Sequence, residues 1–261
     1  MRKLTKENFG SWAVITGASS GIGMEMAKIV AKIGINIVLV ARDEDRLKLV
    51  QKDIEKNFNV KTKVVITNLS NNIEIENLIK QCEDLDVGLL VNSAGYAISG
   101  EFLNNSLDNE LDMVSVNINA PLVLSHYFGN KMKDKRKGGI IFLSSIMAFA
   151  GASDWANYNA TKAYNLLLAE GLAQELKQYN VKVLALTPGS TISGFQNRSN
   201  TKSAVGAMSA KRVAKLGLWM LGCKRTYAPG LINKLIVLST RINPRIINSY
   251  IFSAVVNKLK Y

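Results

Sequence analysis

The sequence predicts an α/β chain with one doubly wound parallel sheet, covered by helices on both faces in a three-layer αβα stack. Three observations carry this expectation. Six short apolar runs alternate with helical runs before residue 190. The runs read as strands are apolar at nearly every position, as in strands buried on both faces. No Pro/Gly/Ser-rich linker, repeat or low-complexity segment interrupts the 261 residues, so a single domain is the simplest reading.

The elements follow in order. SWAVITG (11–17) reads as a short buried strand ending at Gly17. In IGMEMAKIVAKIG (22–34) the apolar residues recur at helical spacing, and Gly34 closes the helix. INIVLVAR (35–42) is a second strand and DEDRLKLVQKDIEKNF (43–58) a charged amphipathic helix. TKVVITN (62–68) and NIEIENLIKQCEDL (72–85) repeat the pair, and VGLLVNSAG (87–95) is a fourth strand running into a turn. SLDNELDMVSVNINAPLVLSHYFGNKM (106–132) predicts a long helix, with a kink or break at Pro121. GGIIFLSS (138–145) is a fifth strand. ANYNATKAYNLLLAEGLAQELKQ (156–178) is a long helix, and VKVLALTPG (181–189) a sixth strand. Such alternation describes a Rossmann-type sheet. Residues 190–210 are polar and irregular, the pattern of a functional loop.

Hydrophobic residues make up 48% and charged residues 20% of the chain, as in ordinary globular proteins. Cys82 and Cys223 lack metal-ligand spacing and read as reduced thiols, which suits a cytoplasmic setting. The opening MRKLTKENFGSW has no apolar signal-peptide region, and no apolar run is long enough to span a bilayer. The formal net charge of +13 is unevenly placed. Residues 1–175 have a net charge of −1, whereas residues 176–261 hold 14 Lys/Arg and no acid after Glu175. That asymmetry predicts an anionic partner or surface for the last third. Nucleic acid is disfavoured, because the basic residues are interleaved with aliphatics rather than with aromatics that stack on bases.

Three motifs carry chemistry. TGASSGIG (16–23) lies between a strand and a helix. Its glycines allow a tight turn, and the helix N-terminus behind them suits a pyrophosphate. At the end of the second strand, a site for NAD places an acid on the ribose 2′-OH, whereas an Arg accommodates a 2′-phosphate. This chain has Arg42 followed by Asp43, which favours NADP(H) and keeps NAD(H) as the alternative. In NYNATKAYN, Tyr158 and Lys162 share a helix face, and an ammonium there would lower the phenol pKa for general acid–base work. No His/Cys/Asp cluster suggests a metal. His126, the only histidine, is expected to pack its helix, and Trp155 to line a pocket or the core.

Taken together and in order, these residues resemble a classical short-chain dehydrogenase/reductase over roughly residues 10–195. The likeness rests on TGASSGIG, NSAG (92–95), Asn117 in SVNINAP, Ser145 thirteen residues before Tyr158, Tyr-Asn-Ala-Thr-Lys, and TPGSTISGF (187–195). Ser93 stands where the family usually has a second Asn, and Asn68 where it usually has Asp. The resemblance implies hydride transfer between a nicotinamide cofactor and a small-molecule carbonyl or alcohol, and the composition of the C-terminal tail resembles that of short-chain reductases acting on apolar, lipid-like or acyl substrates. Tyr158 would exchange a proton with the substrate oxygen. Lys162 would lower the Tyr158 pKa and hold the nicotinamide ribose. Ser145 would polarise the carbonyl, and Asn117 would hold a relay water. The implied cofactor site comprises Gly17, Ser19, Ser20, Gly21, Ile22 and Gly23 of the turn, with Arg42 and Asn68. It continues through Asn92, Ala94, Gly95, Tyr158, Lys162, Pro188, Gly189 and Thr191.

The division expected is a single domain over 1–261, with a family-like core at 10–195, a substrate-loop region at 190–210 and basic amphipathic helices at 209–261. In the last part Ser209 and Gly222 bound one helix, and Pro244 opens another. In the final helix Ile246, Ile247, Tyr250, Ile251, Ala254, Val255 and Leu259 form an apolar stripe widened by Phe252 and Val256, with Arg245, Asn248, Lys258 and Lys260 off it. Such a stripe could lie on a membrane, against a subunit of a homo-oligomeric dimer or tetramer, or on the chain's own core. Arg198 and Lys202 read as solvated charges that could also meet a substrate phosphate.

Overall fold

A computed structural model describes residues 4–195, 199, 201 and 206–259. Seven parallel strands form the main sheet in the order β3-β2-β1-β4-β5-β6-β9. Their spans are β1 Trp12–Thr16, β2 Asn36–Ala41, β3 Thr62–Ile66, β4 Val87–Asn92, β5 Gly138–Leu143, β6 Val181–Leu186 and β9 Thr226–Tyr227. Six match the strands read from the sequence. The seventh, β9, is too short to show a period of its own and is fixed by pairing with Ala185 and Leu186.

Side chains alternate across each strand, so the sheet feeds two cores. Ile15, Leu39, Val91 and Leu184 face α2 (Gly21–Lys32), α3 (Glu44–Asn57) and α8 (Ala210–Met220), which contribute Met26, Leu47 and Leu218. Val14, Val40, Leu90 and Phe142 face α4 (Asn72–Gln81), α6 (Ala120–Asp134) and α7 (Ala156–Glu175), which contribute Leu78, Phe128 and Leu166. All six residues of β4 are buried, which accounts for its unbroken apolar run. A short α1 (Lys6–Phe9) plugs the end of the sheet with Phe9.

The long helix expected over 106–132 is α5 (Leu107–Val114), a π-helical turn at Ser115–Asn119, and α6. The cause lies in Pro121, which has no N–H to give the carbonyl of Asn117 four residues earlier. The chain adapts by widening: Ala120 N–H bonds Ser115 O, five residues back, and Asn165 on α7 donates its Nδ2 to Asn117 O at 2.8 Å. Ser209 caps α8 as expected, its hydroxyl accepting from Arg212 N–H. The irregular segment holds a small pairing of β7 (Thr191–Ile192) with β8 (Met208–Ser209). Arg198, Lys202 and Lys260 lie outside the described residues.

The last two helices are α9 (Leu231–Ile242) and α10 (Arg245–Leu259). The orientation of α10 decides among the placements left open for its stripe. Its buried face is Asn248, Phe252 and Val256, so Asn248, read as lying off the stripe, is inside, while Ile246, Tyr250 and Ile251 of the stripe face solvent. Asn248 is buried because its Nδ2 donates to two carbonyls left free at the end of α9, Thr240 O and Asn243 O. His126 is exposed on α6, not packed as expected.

Candidate active site

The chain runs from β1 outward to β3 and returns to β4 on the other side of β1, which opens a crevice beyond the carboxyl ends of these strands. The glycine turn stands there. Gly17 has φ of 67°, and a Cβ on it would lie 2.9 Å from Ala94 N. A Cβ on Gly23 would lie 2.4 Å from Gly17 O, so this glycine lets α2 start against the turn. Thr16 ties the turn to β4: its hydroxyl accepts from Ser93 N–H and Ala94 N–H at 3.0 and 3.1 Å. Ser20, at the N-cap of α2, leaves the first-turn N–H groups without a side-chain cap, so they stay available to an anion.

A cavity of about 820 Å³ extends from this turn to the last helices, near the top of the range of roughly 300–1,000 Å³ for ligand clefts. Its near end is lined by Gly17, the Ser19–Ile22 segment, Arg42, Asn68, Ala94 and Gly95. Its middle is lined by Ser145, Tyr158, Lys162, Pro188, Gly189 and Thr191. Of the residues expected at the cofactor or the chemistry, Gly23, Asn92 and Asn117 do not line it. Asn92 is 3% exposed and gives its amide to Ser125 Oγ at 2.9 Å, behind the crevice.

Asn117 is buried, and its side-chain amide is committed to hydrogen bonds. Its Oδ1 accepts from Tyr96 N–H, and its Nδ2 donates to Tyr96 O and to Thr161 Oγ1, on the residue before Lys162. This clamps the segment after β4 onto α7. A Cβ on Gly95 would lie 2.8 Å from Asn117 Oδ1 and 3.2 Å from Lys162 Nζ, so only glycine leaves room for both. Ser144, next to the expected Ser145, braces α7 through Lys162 O at 2.7 Å. Ser145 points its hydroxyl at Tyr158 and accepts from Met147 N–H.

Tyr158 and Lys162 are both buried, and Lys162 Nζ lies 5.7 Å from the Tyr158 ring centroid. Burial is the largest influence on the phenol, ahead of any neighbouring charge. Burial raises the Tyr158 pKa, opposed by the Ser145 hydrogen bond. The same burial lowers Lys162 from 10.5 to about 8. Desolvation disfavours phenolate and ammonium alike, and Lys162 spends its contact on Leu143 O at 3.0 Å. At neutral pH the phenol therefore holds its proton, as a general acid requires.

Arg46, Phe195 and Thr16 escaped the sequence reading. Arg46 lines the cavity and lies 3.2 Å from Asp43. Asp43 also caps α3 by accepting from Arg46 N–H at 3.0 Å, and that Asp-x-x-Arg start is a signal the sequence carried. Phe195 ends the TPGSTISGF stretch without being singled out as a site residue, yet its ring packs on Trp155 and Tyr158. Trp155 is both core and cavity wall: 5% exposed, edge-on to Tyr158, its indole N–H on Ser99 Oγ at 2.7 Å.

A model of the short chain dehydrogenase family matches residues 11–204. The chain belongs to this short-chain dehydrogenase family. Among its relatives, it is 32% identical over 232 residues to the 7beta-hydroxysteroid dehydrogenase of Clostridium sardiniense, covering 88% of this chain and 89% of that one. It is 35% identical over 201 residues to the 3-ketodihydrosphingosine reductase of Bos taurus, but spans only 60% of that protein. It is 34% identical over 185 residues to the inactive hydroxysteroid dehydrogenase-like protein 1 of Homo sapiens, of which it spans 56%. In structure it resembles a 7beta-hydroxysteroid dehydrogenase studied for stereoselectivity, with a TM-score of 0.89 at 24% identity over 97% and 99% of the two chains. A Sphingobium yanoikuyae short-chain dehydrogenase in complex with NADPH matches with a TM-score of 0.80 at 27% identity, over 88% and 93%. As a short-chain dehydrogenase the chain has the Rossmann-like sheet and the oxidoreductase ancestry that its sequence suggested.

Proposed function

We propose that this chain is an NADP(H)-dependent oxidoreductase that interconverts a bulky apolar ketone and its secondary alcohol. The observation that carries the proposal is the meeting of Ser145, Tyr158 and Lys162 in one cavity with the glycine turn. A nicotinamide dinucleotide fits the near end, where the α2 N–H groups are uncapped and Gly17 and Gly95 leave space that a Cβ would fill. When bound, that cofactor supplies or accepts the hydride at the carbinol carbon. The chain's part is to position and to move a proton. Ser145 Oγ and Tyr158 Oη both point at the oxygen of a ketone seated beside them. Tyr158 gives that oxygen its proton in reduction and receives it back in oxidation. Lys162, held by Leu143 O and the Asn117 clamp, stands beside the phenol. Trp155, Phe195 and Met147 keep the far side apolar and exclude water.

The preference for NADP(H) is supported by Arg42 and Arg46 on the cavity wall, with Asp43 engaged as helix cap and ion-pair partner rather than free for a ribose hydroxyl. NAD(H) is the alternative. The apolar substrate is supported by the apolar far wall and by the names of the relatives. A homo-oligomer is supported by Leu107, Leu111, Leu122 and Leu167, which α5, α6 and α7 leave exposed. The second reading, a dinucleotide-binding protein without activity, is favoured by the inactive relative, but Ser145, Asn117, Tyr158 and Lys162 are all present and assembled here. The deciding experiment is a panel of ketones assayed by oxidation of NADPH and of NADH, with wild type and Tyr158→Phe side by side. Turnover that Tyr158→Phe abolishes supports the enzyme. Cofactor binding without turnover on any ketone supports the second reading.

A further inference from the structure

The last two helices present an apolar face that none of the described residues covers. Leu231, Leu235, Leu238 and Ile242 follow one another at i, i+4, i+7 and i+11 along α9, and are 74%, 56%, 52% and 76% exposed. No residue of α9 is fully buried. On α10, Ile246, Ile247, Tyr250, Ile251 and Val255 are exposed as well. Scattered apolar residues need no explanation, but two adjacent helices with outward apolar stripes mark a contact site. Around them stand Lys234, Arg241, Arg245 and Lys258, all exposed. Among the described residues none of the four is ion-paired, the salt bridges lying between residues 28 and 135.

We propose that this face docks on an anionic phospholipid bilayer and presents the mouth of the active-site cavity to it. Charge selects this occupant. Residues 176–261 contain no Asp or Glu, so an isologous contact of two such faces would set the cations of one helix pair against those of the other with no acidic side chain of these helices to meet them. A bilayer with anionic headgroups offers the missing negative charge and an apolar interior for the leucine stripe. No helix of the described residues is long and apolar enough to cross a membrane, so the contact is interfacial. Leu231, Ile232 and Val255 are exposed and also line the cavity, which puts its apolar rim within the same face. The delivery of a lipid-dissolved ketone through this rim rests on the proposed carbonyl chemistry; the docking itself does not.

The test is co-sedimentation of the full chain with vesicles of phosphatidylcholine plus phosphatidylserine, against phosphatidylcholine alone. Wild type and Tyr158→Phe should bind the anionic vesicles equally and release them as salt is raised. Leu235→Gln with Leu238→Gln, and separately Arg241→Gln with Arg245→Gln, should each weaken binding by about tenfold or more. Neither pair lines the cavity, so turnover of a water-soluble ketone should be unchanged while turnover of a vesicle-borne ketone falls. Equal wild-type binding to both vesicle types, or leucine variants that bind as well as wild type, would overturn the proposal. So would leucine variants that dissociate an oligomer, by sedimentation velocity, in a wild type that binds no vesicles: the face would then belong to a second copy. Loss of all ketone turnover with vesicle binding retained would sink the carbonyl reading and leave the docking standing.

Discussion

The body of the molecule and its last two helices use apolar side chains in opposite ways. In the body, strands such as β4 are buried at every position, and Phe128, Leu78 and Met26 are wholly inside. In α9 and α10 most leucines and isoleucines are on the outside, Ile236 and Leu259 excepted, and the inward face of α10 is Asn248, Phe252 and Val256. The same side chain therefore carries different meaning in the two regions. In the body it stabilises the fold by leaving water. In the last helices it contributes little to the fold and is available to something else. The two regions meet at the cavity, where Phe252 and Val256 pack with Trp155 and Tyr158.

That contrast can be broken or sharpened by measurement. The largest effect is expected where the regions meet. Tyr158→Phe should lower the turnover of ketone with NADPH by about 10²–10⁴-fold, the usual worth of a positioned general acid, with cofactor affinity by fluorescence titration nearly unchanged. Next comes the body alone: Phe128→Ala should cost about 3–5 kcal/mol in urea unfolding, because the ring is fully enclosed between β-sheet and helices.

A smaller effect belongs to Lys162. Its folded pKa is lowered from 10.5 to about 8, so between those values the unfolded chain binds the additional proton. Wild-type stability should rise with pH through that window relative to Lys162→Met, read from thermal unfolding without cofactor. Tyr158, whose folded pKa is raised, acts in the opposite direction above pH 10. A flat difference between the two proteins from pH 7.5 to 9.5 would show that Lys162 is not buried as described. Arg42→Ser should then reduce the ratio of NADPH to NADH efficiency by about tenfold, the loss of one exposed charge-assisted contact. The smallest change should come from the last helices. Leu238→Gln should shift unfolding free energy by less than about 0.5 kcal/mol, whereas a loss comparable to that of Phe128→Ala would mean the leucine is packed and the contrast false.

The elements that the sequence made legible are those whose pattern has a local cause. A run apolar at every position leaves few alternatives to a strand covered on both faces, and a glycine turn between strand and helix has one geometry. Ser145 was distinguishable from Ser144 by its spacing to Tyr158, and the structure gives the two hydroxyls separate partners. Asn92 and Asn117 were legible as residues but not as contacts. Both turn away from the cavity because their amides are needed by Ser125, Tyr96 and Thr161, partners 21 to 44 positions distant.

By itself the sequence determined the order of the first six strands and the helices between them, the turn that starts α2, the pairing of Tyr158 with Lys162 on one helix face, and the accumulation of positive charge after Glu175. All of these depend on neighbours a few positions apart or on composition. Only the tertiary structure decided which face of α10 is buried, that Phe195 completes the wall around Tyr158, and that burial keeps the phenol protonated and brings Lys162 down to about 8. Those outcomes depend on how much water is removed by segments remote in the chain. Desolvation is a property of the packed neighbourhood, and a periodicity along one helix cannot report it.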